Sequence, residues 1–251
     1  MMKSALKINL DHYENRYSST NRFITYLRRT LSFDQRYKCK FNWYLLNRWL
    51  RNRHIDQVLE IGFGYGLNLM KFSTTVRLVG TDISYSATKS LYKICAKRKQ
   101  KALLCVNDSI GALPFNTQFD VIICSHVLEH IVDDANILQE FHRLLLPGGA
   151  LILNVPINEI MPDTKHVHIY DTELINNLLR KAKFKVIEQM TADRWEGFFV
   201  WCKNNNLICL RKFLRALCAL LPYRFCEWVA NHLLVKYFHW QMNILAVHNE
   251  K

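Results

Sequence analysis

Only eight glycines and five prolines occur among 251 residues, and nowhere do they gather with serine into a flexible linker. No segment repeats another. The eight cysteines, at positions 39, 95, 105, 124, 202, 209, 218 and 226, never form a Cys-x-x-Cys pair. They are scattered through apolar segments and read as reduced core thiols, which argues against a disulfide scaffold or a cysteine zinc site. No uncharged stretch reaches the roughly 18–20 residues that a membrane span needs. The opening residues lack the apolar run of a signal peptide, so the expected location is the cytoplasm, with peripheral membrane contact left open. Acidic residues are also scarce: 21 Asp and Glu stand against 34 Lys and Arg, a net charge of +13.

Half of the residues are hydrophobic and 22% are charged, the composition of a globular chain long enough for one α/β domain with additions. The positive excess is confined. Residues 1–57 hold twelve basic and four acidic side chains, a net of +8, while residues 58–202 hold fifteen of each. Residues 203–238 hold six basic side chains and Glu227, a net of +5, and the tail cancels. A neutral centre therefore lies between two basic flanks, which either form solvated faces or contact something anionic.

The centre alternates β-rich runs with helical patterns, as a parallel sheet with crossover helices does. Strands are expected near 58–61, 77–82, 102–106, 120–124, 150–155, 185–190 and 242–248. Helices are expected near 66–73, 86–98, 135–145 and 172–182. Residues 1–57 read as a helical cap. Residues 58–251 form the main domain, into which a basic amphipathic helical segment, 203–238, is inserted before the last strand. Such a helix either packs its apolar face on its own domain or lies on a membrane surface.

Five stretches carry chemistry. In Glu60-Ile-Gly-Phe-Gly-Tyr-Gly66 a buried strand meets a glycine turn, where backbone can approach a ligand. A dinucleotide fingerprint would require glycine at position 67, which is Leu67. Asp82 closes the second strand about 20 residues later, where a carboxylate can hold a ribose diol; the competing role, capping the next helix, could fall to Ser84 instead. Asp108 follows the third strand, either to meet an adenine or to make an ordinary Asx turn. Phe119-Asp-Val-Ile-Ile-Cys-Ser-His-Val-Leu-Glu-His130 ends a buried strand in a polar cluster. Leu144-Leu-Leu-Pro-Gly-Gly149 reads as a helix stop, a turn and the start of the fifth strand.

In this order and spacing, the stretches VLEIGFGYG, VGTDIS, VNDSIGALPF, FDVIICSHVLEHI and LLLPGGALILNVP resemble the class I S-adenosylmethionine-dependent methyltransferases, in particular the type 11-like subgroup acting on small molecules, lipids and glycans. Lys165-His-Val-His-Ile-Tyr-Asp171 extends the resemblance. The resemblance implies an α/β, Rossmann-like seven-stranded sheet of order 3-2-1-4-5-7-6 with strand 7 antiparallel and helices on both faces. It implies S-adenosyl-L-methionine as cofactor. Glu60, Gly62, Phe63, Gly64 and Gly66 would line the methionine end, Asp82 the ribose, and Ile83, Asp108 and Ser109 the adenine. Ser125 and His126 would lie under the sulfonium, with Tyr17, and Tyr13 beside it, covering the cofactor.

Transfer to an oxygen of high pKa needs a base, and histidine titrates near neutrality. His166 and His126 are the catalytic candidates, with His130 and His168 read first as surface or packing residues. No metal site is expected, since the His166-x-His168 pair alone is weak evidence. The acceptor is expected to be a small-molecule, lipid-linked or glycan compound methylated at oxygen, and the flanks point either to an anionic substrate or to docking on an anionic membrane where a lipid-linked substrate resides. Nucleic acid is disfavoured because the aromatic Pro-Pro turn of base-amine methyltransferases is absent after strand 4, although the basic flanks leave RNA open. A catalytically inactive cofactor-binding regulator is the alternative of another class. Arg194, Trp195 and Phe198 are expected at the substrate mouth.

Overall fold

The computed structural model describes residues 2–18, 33–51, 53–108, 112–159, 164–192, 194–234 and 241–248. Seven strands form one sheet: β1 (Gln57–Ile61), β2 (Arg77–Asp82), β3 (Ala102–Val106), β4 (Phe119–Ser125), β5 (Leu145–Pro156), β6 (Phe184–Ala192) and β7 (Gln241–His248). Their order is β3-β2-β1-β4-β5-β7-β6, with β7 antiparallel to both β5 and β6 and the other pairs parallel. This is the expected topology.

Central strands of such a sheet are apolar on both sides because helices cover both faces. One face packs Leu59, Ile61, Ile122 and Leu153 under α4 (Asp134–Leu144) and α5 (Thr172–Lys181). The other packs Val58, Val121, Ile123 and Ile152 under α2 (Phe33–Trp49), through Leu45 and Leu46, and under α3 (Tyr85–Lys97), through Ala87, Leu91 and Cys95. The N-terminal region thus contributes directly to the core of the sheet. Helix starts follow capping chemistry: Ser84, Asp133 and Asp171 each accept a backbone N–H of the first turn of α3, α4 and α5.

Two local expectations are corrected. No α-helix spans 66–73: residues 64–68 form turns and only Leu69–Lys71 makes a 3-10 turn. Asn68 commits its side chain to Glu60 and Asn42, and β2 begins too soon afterwards for a longer helix. The Pro147-Gly148-Gly149 segment is a bulge within β5, whose pairing with β4 shifts register between Phe119 and Val121.

Beyond β6 come α6 (Arg194–Asn204), α7 (Ile208–Leu220) and α8 (Tyr223–Leu233), with Pro222 at the N-cap of α8. Trp195, Phe199, Cys218, Cys226 and Ala230 form their own core with Phe41 of α2. The first helix, α1 (Met2–Tyr17), lies across the N-terminus of α3. There Glu14 accepts hydrogen bonds from Ser84 Oγ (2.7 Å) and Ser86 N (3.2 Å), a favourable place for a carboxylate.

Candidate active site

β1 lies between β2 and β4, so successive connections leave it in opposite directions and open a crevice at the carboxyl ends of the strands. A cavity of about 760 Å³ occupies it. Along the sheet edge, from β3 through β2, β1 and β4 to β5, its lining includes Asp108, Asp82, Gly62, Ser125 and Glu159. Glu60, Phe63, Gly64, Ile83, His126, His166, Tyr13 and Tyr17 line it as well. Gly66 does not; at φ +67° it shapes the turn, where a Cβ would meet Leu91. Ser109 lies outside the described residues.

The glycine turn is a cradle that side chains would fill. Gly62 (φ +69°) and Gly64 (φ +51°) hold left-handed backbone, and a Cβ on Gly62 would collide with Val127. Asp82 fastens this turn: its Oδ2 accepts from Gly64 N (2.7 Å) and its Oδ1 from Ser84 N (2.9 Å). Burial pushes its pKa up to about 6, against the pull of those two N–H groups. Ser84, not Asp82, caps α3, which leaves Asp82 at the cavity wall for a ligand.

Glu60 shares a face of β1 with Val58 and points toward α2. It is 2% exposed. Its Oε1 accepts from Asn68 Nδ2 (2.7 Å), while Oε2 has no partner among the described residues. Burial raises its pKa to about 8. Asn68 continues to Asn42 (3.3 Å), Asn42 bonds Asn154, and Asn154 reaches Ser125 Oγ (3.2 Å). This chain of buried amides links the ends of β1, β4 and β5. The sequence reading missed it, because single asparagines in apolar runs carry no spacing signal.

Beside β5 stands a histidine–carboxylate cluster. The backbone carbonyl of Glu129 accepts from Val167 N (2.8 Å), which clamps the 164–168 segment onto the Leu128–His130 turn. His130, His166 and Glu129 then present ligand atoms within 4.8 Å of one another, the group among the described residues that could hold a metal ion. His166 Nδ1 pairs with the buried Glu159 at 2.7 Å. His126, at φ +56°, has Nε2 2.7 Å from Gln241 Oε1 and Nδ1 3.4 Å from Glu129 Oε1. Burial alone would raise the pKa of Glu129; hydrogen bonding from His126 and the nearness of His130 outweigh it and hold the carboxylate near 2. His168 faces away, toward Val132 O (3.0 Å).

Cations also converge on the cavity: Arg16 and Lys38 from the first basic flank, Lys203 and Arg211 from the second, and Lys165 between them. Arg211 Nε is buried and has no hydrogen-bond partner among the described residues. The expected mouth residues are corrected. Trp195 donates to Cys226 O (2.9 Å) and Arg194 to Asn231 Oδ1 (2.8 Å), so they bind α6 to α8. Phe198 packs against the same core. Val200, Lys203 and Asn204, on the next turns of α6, line the cavity instead.

A parallel sheet with a reversed last-added strand, a glycine cradle after β1 and a carboxylate after β2 define the class I methyltransferase architecture. Residues 59–153 match the family model for the methyltransferase domain. The probable methyltransferase PMT5 of Arabidopsis thaliana is 30% identical over 161 residues, 62% of this chain and 25% of that protein. The chain thus spans about a quarter of the length of that relative. The crystal structure of YcgJ from Bacillus subtilis superposes with a TM-score of 0.57 at 16% identity, covering 84% of this chain and 99% of the other. Magnesium protoporphyrin IX methyltransferase (ChlM) from Synechocystis PCC 6803, with bound SAH, gives a TM-score of 0.59 at 12% identity, covering 97% and 99%. At these identities the superpositions establish the fold. Together with the domain match they show a methyltransferase domain, residues 59–153, on the fold of the class I S-adenosylmethionine-dependent methyltransferases.

The residues present fit S-adenosylmethionine. The unpartnered oxygen of Glu60 suits the ammonium of the methionine end. Asp82 suits a vicinal diol. The space at Gly62 and Gly64 suits a ligand in contact with backbone. Ile83 and Asp108, at the ends of β2 and β3, would flank the adenine.

Proposed function

We propose that this protein transfers a methyl group from S-adenosylmethionine to an oxygen of an anionic acceptor, small or lipid-linked. The observation that carries this reading is the convergence of Arg16, Lys38, Lys165, Lys203 and Arg211 on the cavity that also holds the Glu129–His130–His166 cluster. One carboxylate of the cofactor calls for one cation; five supply an anion site besides. When bound, S-adenosylmethionine supplies an electrophilic methyl group on a sulfonium. The residues of this chain align the acceptor and relieve it of a proton. Both ring nitrogens of His126 are occupied by Gln241 and Glu129, so His126 positions Glu129, and activation of the acceptor falls to the cluster containing His166.

The lipid-linked form of the acceptor is supported by α7 and α8. Leu210, Phe213 and Leu217 follow one face of α7, and Phe225 and Trp228 lie on α8; all are exposed. Phe213 is 64% exposed and Trp228 56%, with Lys212 and Arg224 beside them. Leu214 and Cys218 occupy the side of α7 that packs on the domain. Exposed apolar side chains with cations beside them, on α7, which also brings Arg211 to the cavity, and on α8, suit the interface of an anionic bilayer.

The test compares metabolites and lipids of cells producing the active protein with those producing Asp82→Ala. A product heavier by one methyl group, present only with the active protein and retained by an anion exchanger, is expected. No such product, with the active protein folded and binding S-adenosylhomocysteine, overturns the acceptor assignment.

A further inference from the structure

The Glu129 cluster has more order than a proton acceptor needs. Glu129 is 1% exposed, yet its Oε2 has no hydrogen-bond partner among the described residues. Leaving a carboxyl oxygen buried and unpartnered is costly unless a donor or a cation meets it. The remote atom of each of the three side chains is held. Glu129 Oε1 is 3.4 Å from His126 Nδ1. His130 Nδ1 is 3.0 Å from the backbone carbonyl of Lys165. His166 Nδ1 is 2.7 Å from Glu159 Oε2. Carbonyl and carboxylate partners on the second nitrogen are what orient imidazoles that ligate metals, by fixing their tautomer. Nε2 of His130 lies 3.1 Å from the hydroxyl of Tyr13, an oxygen that would border a bound ion.

We infer that Glu129, His130 and His166 form a binding site for one divalent transition-metal cation of the zinc or manganese class. Two imidazoles and one carboxylate make the donor set, and the ligand atoms all lie within 4.8 Å of one another. Three protein ligands leave coordination positions open toward the cavity. The inference rests on the methyl-transfer reading for its chemical role and gives that reading a narrower acceptor: a hydroxyl able to ligate the ion. The cation polarises that hydroxyl and lowers its pKa. The proton leaves to solvent, an oxygen lone pair forms the new C–O bond, and the C–S bond breaks with its electron pair returning to sulfur. The site departs from the sequence expectation of no metal. It uses His166 with Glu129 and His130, not the adjacent His168.

The test titrates Co²⁺ into full-length protein stripped with EDTA, following visible absorption and bound metal per chain. One Co²⁺ per chain is expected, displaced by Zn²⁺. Glu129→Gln, which keeps the side-chain shape, and His166→Ala, on the clamped loop, are each expected to weaken binding at least tenfold while retaining S-adenosylhomocysteine binding by calorimetry. Absence of saturable Co²⁺ uptake by the unmodified protein, or uptake unchanged in both variants, overturns the site. Loss of S-adenosylhomocysteine binding by the unmodified protein overturns the cofactor reading instead, because metal uptake is measured without cofactor.

Discussion

The hydroxyl of Tyr17 lies 2.6 Å from the point where a Cβ on Gly64 would stand. One residue belongs to the N-terminal helix and the other to the glycine turn, so α1 closes the turn from above. The Tyr17 ring meets Tyr65 edge-on at 4.8 Å, and burial raises its phenol pKa. Gly64→Ala therefore carries two penalties: left-handed backbone at φ +51°, about 1–2 kcal/mol for a residue with a side chain, and displacement of Tyr17. In a double-mutant cycle by denaturant unfolding, Tyr17→Phe should recover part of the Gly64→Ala loss and leave the backbone part. Strict additivity of the two losses would show that the contact has no energetic weight.

Asp82 uses both oxygens on backbone N–H groups while facing the cavity. Asp82→Asn must turn an amide N–H toward either Gly64 N or Ser84 N. The variant should lose stability as well as affinity, with S-adenosylhomocysteine binding at least tenfold weaker, given about 1–3 kcal/mol per unsatisfied group. Calorimetric titration checks the affinity; an unchanged dissociation constant would remove Asp82 from the cofactor site.

Much of this site was legible in the sequence because it is local. Glu60, Gly62, Gly64, Asp82, Ile83 and Asp108 sit at the ends of consecutive strands, where strand periodicity, glycine spacing and the family resemblance set them along one sheet edge without tertiary information. The amide chain was not legible: Asn42, Asn68 and Asn154 are far apart in sequence and meet only because α2 crosses the ends of β1 and β5. Glu129 and His130 lay inside a recognised motif, but their role depends on a backbone clamp to residue 167 that no periodicity records. The mouth was misplaced by a turn or two of α6, because an amphipathic pattern names two faces and does not say which one the next helix covers.

Glu60 predicts the pH dependence of folding and of binding. Its carboxyl has a folded pKa of about 8 against the ordinary 4.5, because of burial. Between those values the folded protein holds a proton that the unfolded chain has lost, so the contribution is full below about pH 4.5 and disappears as pH rises through 8. Glu60→Gln should flatten this part of the stability profile and be relatively more stable above pH 8. A cation bound at Glu60 favours the carboxylate, so cofactor binding at pH 7 should release a proton. Calorimetry in two buffers of different ionisation enthalpy measures that release, and none is expected in Glu60→Gln. Equal proton release in both proteins would assign it to another group.

The exposed face of α7 and α8 predicts membrane behaviour separable from folding. Phe213 and Trp228 are 64% and 56% exposed, so Phe213→Ser with Trp228→Ser removes little packing and should change stability by less than about 0.5 kcal/mol per site. If these rings enter a bilayer interface, the variant forgoes roughly 1.5–3 kcal/mol of burial per ring, and the double variant should bind anionic vesicles at least about a hundredfold more weakly. The two contributions to docking respond differently to salt. Attraction of Lys212 and Arg224 to anionic headgroups is screened as ionic strength rises, whereas apolar insertion is not. Unmodified protein should co-sediment with vesicles containing phosphatidylserine and lose part of that binding with added salt. The double variant, left with charge alone, should lose nearly all of it. Equal sedimentation of both proteins would mean that the rings stay in water, and no sedimentation of either would mean that this face docks no membrane.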